Sequence, residues 1–107
     1  MALPSVNPTQ TASWKKLQEH YKEAKDFKMK DLFAQDSDRA NKFTIKWDDF
    51  YVDVSKNRIT EETFKYLLEL AEDVKLKDAI ESQFSGEIIN KTEGREVLHT
   101  ALRAPES

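Results

Sequence analysis

The stretch Phe43-Thr44-Ile45-Lys46-Trp47-Asp48-Asp49-Phe50-Tyr51-Val52-Asp53-Val54 decides the fold class. Its apolar residues alternate on both sides of Asp48-Asp49, the period of a strand rather than of a helix. A two-residue turn at Asp48-Asp49 pairs Trp47 with Phe50, Ile45 with Val52 and Phe43 with Val54, all on one face. Cross-strand aromatic and β-branched contacts stabilise such a face. Asp-Asp is a poorer hairpin turn than Asn-Gly, because Asp tolerates positive φ less readily than Gly. An isolated two-stranded ribbon is marginal in water, so this apolar face needs cover.

Working outward toward the N-terminus, the polar residues 36–41 break the pattern, and before them the period is helical. A short helix is predicted over Met29 to Gln35, burying Leu32 and Phe33. Trp14, Leu17, Tyr21 and Ala24 recur at spacings of three and four and predict an earlier helix with those residues on its buried face. Thr11 or Ser13 caps it. Residues 1–10 hold two of the three prolines and no hydrophobic period, and read as an extended lead-in.

On the C-terminal side, Thr60 reads as an N-cap, with Glu61 and Glu62 in the first turn, where carboxylates favour the positive end of a helix. Phe64, Leu67, Leu68, Ala71 and Val74 form its apolar stripe. A further helix over 77–85 buries Leu76, Ala79, Ile80 and Phe84, with Gly86 suited to the left-handed position after its end. Thr92 caps a last helix carrying Val97, Leu98, Ala101 and Leu102, ended by Pro105. The fold expected is therefore mainly α with one small β-hairpin at about 43–55, an α+β class. After the lead-in, residues 11–107 form a single helical segment.

Composition narrows the function. The chain has 107 residues, a net charge of −3, no cysteine, and two glycines, Gly86 and Gly94. A nucleic-acid binder normally carries a basic excess, which is missing here. Phosphate cradles rely on glycine for close backbone approach, and these two glycines fit no such pattern. The lack of cysteine removes disulfides, thiol nucleophiles and Cys-ligated zinc. The first ten residues have no basic n-region and no apolar h-region, and no apolar run approaches the roughly 20 residues of a membrane helix. A soluble, cytoplasmic protein without nucleic-acid or membrane partners is expected.

No constellation assembles a nucleophile, a base and an oxyanion donor. His20 and His99 lie on different predicted helices and read as ordinary helix-surface or partly buried histidines. Asp36-Ser37-Asp38 opens like a calcium loop, but Ala40, Asn41 and Trp47 stand where the template needs an oxygen ligand, a glycine and a glutamate. The segment is then a solvated connector with a capping aspartate. Asp48, Asp49 and Asp53 cluster at the hairpin, although turn aspartates lack the burial that would raise a catalytic pKa. Asn90-Lys91-Thr92 matches a glycosylation acceptor only formally, and Thr92 is better explained as a cap. The lysines of the first helix interleave with Glu19, Glu23 and Asp26, a pattern of i to i+4 pairing. Arg95, His99 and Arg103 share one face of the predicted last helix. That row could meet a phosphate or an acidic partner, but its spacing is better read as a solvated face at the helix C-terminus. No catalytic, cofactor-binding or metal-ligating residue is assigned, and no cofactor is expected.

Short words in order nonetheless carry a resemblance. Asn7-Pro8-Thr9-Gln10-Thr11 with Trp14 is followed by Asp31-Leu32-Phe33, Asp38-Arg39, Phe43 and Asp48-Asp49. Then come Val52-Asp53, Ser55-Lys56-Asn57-Arg58-Ile59-Thr60 and Phe84-Ser85-Gly86-Glu87. Ile89-Asn90, Thr92-Glu93-Gly94-Arg95, Val97-Leu98-His99 and Ala101-Leu102-Arg103 complete the series. From about Asn7 to Arg103 the chain resembles the N-terminal segment of glucose-6-phosphate isomerases of the bacterial and eukaryotic type.

The resemblance implies a parent several times longer, a homodimer of two sugar-isomerase α/β domains preceded by a helical region. Such enzymes interconvert glucose 6-phosphate and fructose 6-phosphate in glycolysis and gluconeogenesis. They open the ring and move a proton between C2 and C1 through a cis-enediol. Their glutamate base, ring-opening histidine and lysine, arginine and phosphate-binding loop all belong to parts beyond residue 107, so none is carried onto a position here. The sugar-isomerase domains are absent from the chain. An inactive fragment is the expectation, with a stand-alone interaction or scaffold module as the alternative and a small autonomous enzyme disfavoured. The apolar hairpin face then finds cover either in a compact helical core over Phe43, Ile45 and Trp47 or in self-association.

Overall fold

A computed structural model describes residues 3–106 of the chain. The Asn7 side chain accepts from the Thr9 amide and nucleates a 3₁₀ turn over Pro8–Gln10, so the expected extended lead-in is interrupted at its end. Residues 1 and 2 of that lead-in lie outside the described residues. Helix α1 (Ala12–Ala24) follows at once, with the Thr11 hydroxyl accepting from the Trp14 amide. Of the two caps read from sequence, Thr11 therefore serves, and Ser13 is buried inside the first turn.

Helix α2 (Met29–Gln35) has the predicted bounds, with Leu32 buried and Phe33 half-buried. The segment expected to break the helical pattern forms one further turn, α3 (Arg39–Lys42). Strands β1 (Thr44–Trp47) and β2 (Phe50–Asp53) then pair antiparallel in the expected register, Trp47 opposite Phe50 and Ile45 opposite Val52. The Val54 amide donates to the Phe43 carbonyl at 2.9 Å and extends the pairing to its base.

Helix α4 (Glu61–Asp73) begins at a reciprocal capping box, in which Thr60 and Thr63 each accept the other's amide. Lys75 takes a left-handed φ of 61° and turns the chain into α5 (Leu76–Ser85), which closes on Gly86 at φ 79° as predicted. The remainder departs from expectation. In place of a helix capped by Thr92 there is a second antiparallel pair, β3 (Ile88–Asn90) with β4 (Arg95–Glu96), and then a 3₁₀ turn over His99–Arg103. Gly94, at φ 65°, lies inside the turn between the strands. Asn90 Oδ1 accepts from the Glu93 amide there, a local side-chain bond that holds the turn. Ten residues of continuous helix could not pass through that geometry.

The fold class is α+β, with α1 packed on α4 as the principal helix pair and α5 against α4 and β3. Core formation is meagre. Leu32 and Phe43 are the buried hydrophobic residues among those described. Tyr21 of α1, Leu67 and Leu68 of α4, and Leu76, Ile80 and Phe84 of α5 were expected inside and are exposed. The expected helical core over the hairpin face is likewise not formed. Phe43 is covered at the base, while Ile45 is exposed and Trp47 at the tip is 70 % exposed. Trp47 instead stacks on Phe50, with centroids 5.3 Å apart and planes 13° from parallel.

Candidate functional site

The α1–α4 seam holds Ser13, His20 and Thr63, three of the six buried polar residues among those described. Ser13 and His20 are buried and Trp14, Leu17 and Ala24 half-buried, so the stripe read from sequence holds at three of its four positions and fails at Tyr21, which is exposed while His20 beside it turns inward. Ser13 is buried, and its hydroxyl donates to Asp73 Oδ2 at 2.7 Å while its amide points at the same oxygen from 3.3 Å. The Ser13 hydroxyl, then its amide, hold the Asp73 carboxyl below its ordinary value of 3.8. No imidazole joins the pair, so it ties the start of α1 to the end of α4 rather than forming a nucleophile relay.

His20 is buried, more deeply than a helix-surface or partly buried residue. Its Nε2 lies 2.5 Å from the Thr63 hydroxyl, and Phe27 and Tyr66 meet the ring edge-on at 6.0 and 5.5 Å. Nδ1 faces Glu62 Oε2 across 3.9 Å. The other Glu62 oxygen accepts the Tyr66 O–H at 2.7 Å, and this bond to a carboxylate raises the phenol above its ordinary value of 10.0. With Glu23, these residues form a group of metal-ligating chemistry, one atom from each of His20, Glu23 and Glu62 falling within 4.8 Å of the others. Both glutamates are exposed, and exposed acidic groups are common without an ion.

Other candidate residues fall as follows. Asp36 Oδ1 accepts from the Asp38 amide at 2.9 Å and Oδ2 from Lys42 at 2.8 Å, while Asp38, the N-cap of α3, makes no side-chain capping bond. The Lys42 hydrogen bond, then the Asp38 amide, lower the Asp36 carboxyl below 3.8. Asp48 and Asp49 lie at the exposed hairpin tip, and Asp53 accepts from the Ser55 amide at 2.8 Å. Among the first-helix lysines, Lys22 pairs with Glu19 and Lys16 crosses to Glu69, each at 2.9 Å. The expected row of Arg95, His99 and Arg103 does not exist as a helix face, because Arg95 belongs to β4 and the other two to the 3₁₀ turn. His99 and Arg103 instead rim a cleft of about 670 Å³ against Phe84, Gly86 and Leu98.

Sequence reasoning missed Ser13–Asp73, His20–Thr63 and Arg39. The last is buried, with Nε donating to the Ser55 carbonyl and Nη2 to the Asn57 carbonyl, each at 2.9 Å. Its guanidinium lies 4.5 Å from the Phe43 ring centroid and 5.5 Å from that of Phe33. One available signal was Thr60-x-x-Thr63, a reciprocal cap that commits the Thr63 hydroxyl to the interior. Nothing in the spacing of isolated serine, histidine and arginine residues revealed the others.

Comparison with known proteins places these features in a longer polypeptide. The family model for Phosphoglucose isomerase matches residues 53–107, half of the chain. Over 102 residues the chain is 62 % identical to a glucose-6-phosphate isomerase of Christiangramia forsetii. That match takes in 95 % of this chain and 19 % of the relative, so the chain spans about a fifth of the length of that curated protein. Among the described residues, no helix is long and apolar enough to cross a membrane.

Proposed function

The chain belongs to the phosphoglucose isomerase family, and from that premise we infer that it is the N-terminal portion of a glucose-6-phosphate isomerase, inactive by itself. The whole protein would interconvert glucose 6-phosphate and fructose 6-phosphate as a cytoplasmic homodimer. The observation that carries this reading is the pairing of high identity across nearly the whole chain with coverage of only 19 % of the relative.

The packing supports it. Helices α1 and α4 with side-chain caps and a hairpin in register coexist with a core of Leu32 and Phe43 among the described residues, as in a layer shaped to lie on something larger. The seam contributes architecture. Its serine, histidine and aspartate are spent on helix-to-helix bonds, and the described residues present no base poised beside an oxyanion donor.

A coupled assay with fructose 6-phosphate tests both halves of the reading. The isolated chain should show no turnover above a mock-purified control. The same chain joined to the part of the Christiangramia forsetii protein that follows its match should isomerise. Turnover by the chain alone would refute the inactivity, and a folded but inert fusion would refute the assignment.

A further inference from the structure

The His20–Glu23–Glu62 group differs from an exposed acidic pair in its imidazole. His20 is only 7 % exposed, and Phe27 and Tyr66 hold its ring edge-on. Its Nε2 is tied to the Thr63 hydroxyl. That hydroxyl also accepts the Thr60 amide at 3.0 Å and shares a hydrogen bond with Thr60 Oγ1 at 3.1 Å. With its own proton on Thr60 Oγ1 it accepts the imidazole Nε2–H, and the ring then carries a lone pair on Nδ1. Nδ1 makes no hydrogen bond among the described residues, and Glu62 Oε2 faces it from 3.9 Å, beyond hydrogen-bond reach. A buried imidazole thus aims an uncommitted nitrogen at a carboxylate.

Two helices supply the rest of the ligand set. Glu23 follows His20 by three positions on α1 and projects from the same side, while Glu62 stands in the first turn of α4. Ligands about 2.1 Å from a tetrahedral zinc ion stand roughly 3.4 Å apart, so His20 and Glu62 need to close by only about 0.5 Å. Glu23 is exposed and within 4.8 Å of the others, a distance that a side-chain rotation covers. The second Glu62 oxygen accepts the Tyr66 O–H at 2.7 Å, the kind of outer partner that orients a ligating carboxylate. Both glutamates line an open cavity of about 580 Å³ together with Asp26, Asp31 and Glu61. Lys28 and Arg39 are the cations of that lining, and Arg39 is committed to two carbonyls. A cation therefore reaches the group through a field that attracts it.

We propose that His20 Nδ1, Glu23 and Glu62 bind a divalent transition-metal ion of the zinc type, completed by solvent, and that this ion clamps α1 to α4. A nitrogen ligand favours zinc over magnesium, which takes oxygen ligands and gives up its water reluctantly. The site is independent of the isomerase reading, and turnover by any form of the chain has no bearing on it.

Zn²⁺ titrated into the chain without a histidine tag tests the site, by calorimetry and by the nitrogen resonances of the two imidazoles. A single ion should bind per chain, and the His20 Nδ1 resonance should move while those of His99 stay in place. Glu23→Gln and Glu62→Gln change exposed positions without loss of shape, and each should weaken binding at least about tenfold. With free Zn²⁺ about 100-fold above Kd, separation of α1 from α4 should be about 100-fold rarer, read as hydrogen exchange slowed by that factor along the seam. The Val54 amide at the hairpin base should be unaffected. Absence of binding would overturn the proposal, as would binding that both glutamine variants leave intact or that moves His99 instead of His20. Displacement of the zinc by an equal concentration of Mg²⁺ would also overturn it, by reducing the group to exposed carboxylates without a nitrogen ligand.

Discussion

Arg39 joins α3 to the residues after the hairpin more firmly than any apolar contact available there. A lysine reaches one carbonyl at best and loses the planar stacking on Phe33 and Phe43, so the two cations are not interchangeable at this position. Arg39→Lys should destabilise the hairpin base by about 2 kcal/mol. Hydrogen exchange of the Val54 amide, which bonds the Phe43 carbonyl, should then accelerate about 30-fold. Ser55 beside it is the opposite case. Its hydroxyl is buried without a partner at full hydrogen-bonding geometry among the described residues, yet it stands beside the Asp53 carboxyl and helps to hold it below its ordinary value, so Ser55→Ala should cost no more than about 1 kcal/mol. A loss larger than that would mean the hydroxyl has a partner. At the seam, Ser13→Ala removes a bond to an ionised carboxylate and should cost about 1–2 kcal/mol at neutral pH. The Asp73 carboxyl is held below its ordinary value, so the stabilisation is present above pH 3.8 and disappears as the pH falls through the folded-state pKa. Urea midpoints of wild type and Ser13→Ala should therefore differ at neutral pH and converge under acid. A constant gap would show that Asp73 is not the partner that matters.

At the scale of elements, the hairpin was fully legible because a period of two and a two-residue turn leave a single register. Its weak point was legible too. Asp48 sits at φ 50° with no second positive φ beside it, the sign pattern of a turn that prefers glycine at its first central position. Asp48→Gly should stabilise the hairpin by about 1 kcal/mol, read as slower exchange at the Trp47–Phe50 end of the ribbon. Lys75→Gly, between α4 and α5, should act in the same direction. The caps Thr11, Thr60 and Gly86 were equally readable, since each is a local solution to orphaned backbone groups. The last helix was not. Val97, Leu98, Ala101 and Leu102 keep helical spacing, yet Gly94 at φ 65° and the Asn90–Glu93 bond turn the chain into a strand pair first. Periodicity placed Trp14, Leu17 and Ala24 on the covered side of α1 but put exposed Tyr21 there too, and it gave no sign that Ser13 and His20 are buried. Their partners Asp73 and Thr63 sit on α4, and no local pattern announces a bond between residues 60 and 43 positions apart.

The whole molecule has a radius of gyration of 18.0 Å and extents of 52 × 37 × 18 Å. A compact domain of about 100 residues has a radius near 13 Å, so the chain is too spread to enclose a core of its own. Amphipathic spacing correctly marked which residues are apolar, but it carries no information on whether the covering surface lies in the same chain. Trp47, Phe50, Phe84 and Leu102 are all exposed in this chain. The consequence is thermodynamic. Burial supplies the main force for folding, at about 25 cal/mol per Å² of apolar surface, and here much of that surface stays in water. What remains is a set of local solutions, namely capped helices, the α1–α4 seam and the Arg39 clasp, each able to open without the others. The isolated chain should therefore unfold in urea with a broad transition and an apparent m-value below the ~1–3 kcal/mol/M of small two-state domains, with fluorescence of the exposed Trp47 and far-UV dichroism out of step. Solution scattering should give a radius near 18 Å rather than ~13 Å. Fusion to the downstream isomerase polypeptide should bring the two probes into one steeper transition, because the same apolar faces then transmit unfolding between elements. A sharp, coincident transition in the isolated chain at a radius near 13 Å would instead require that the chain covers its own hairpin and cleft, and would make it a domain in its own right.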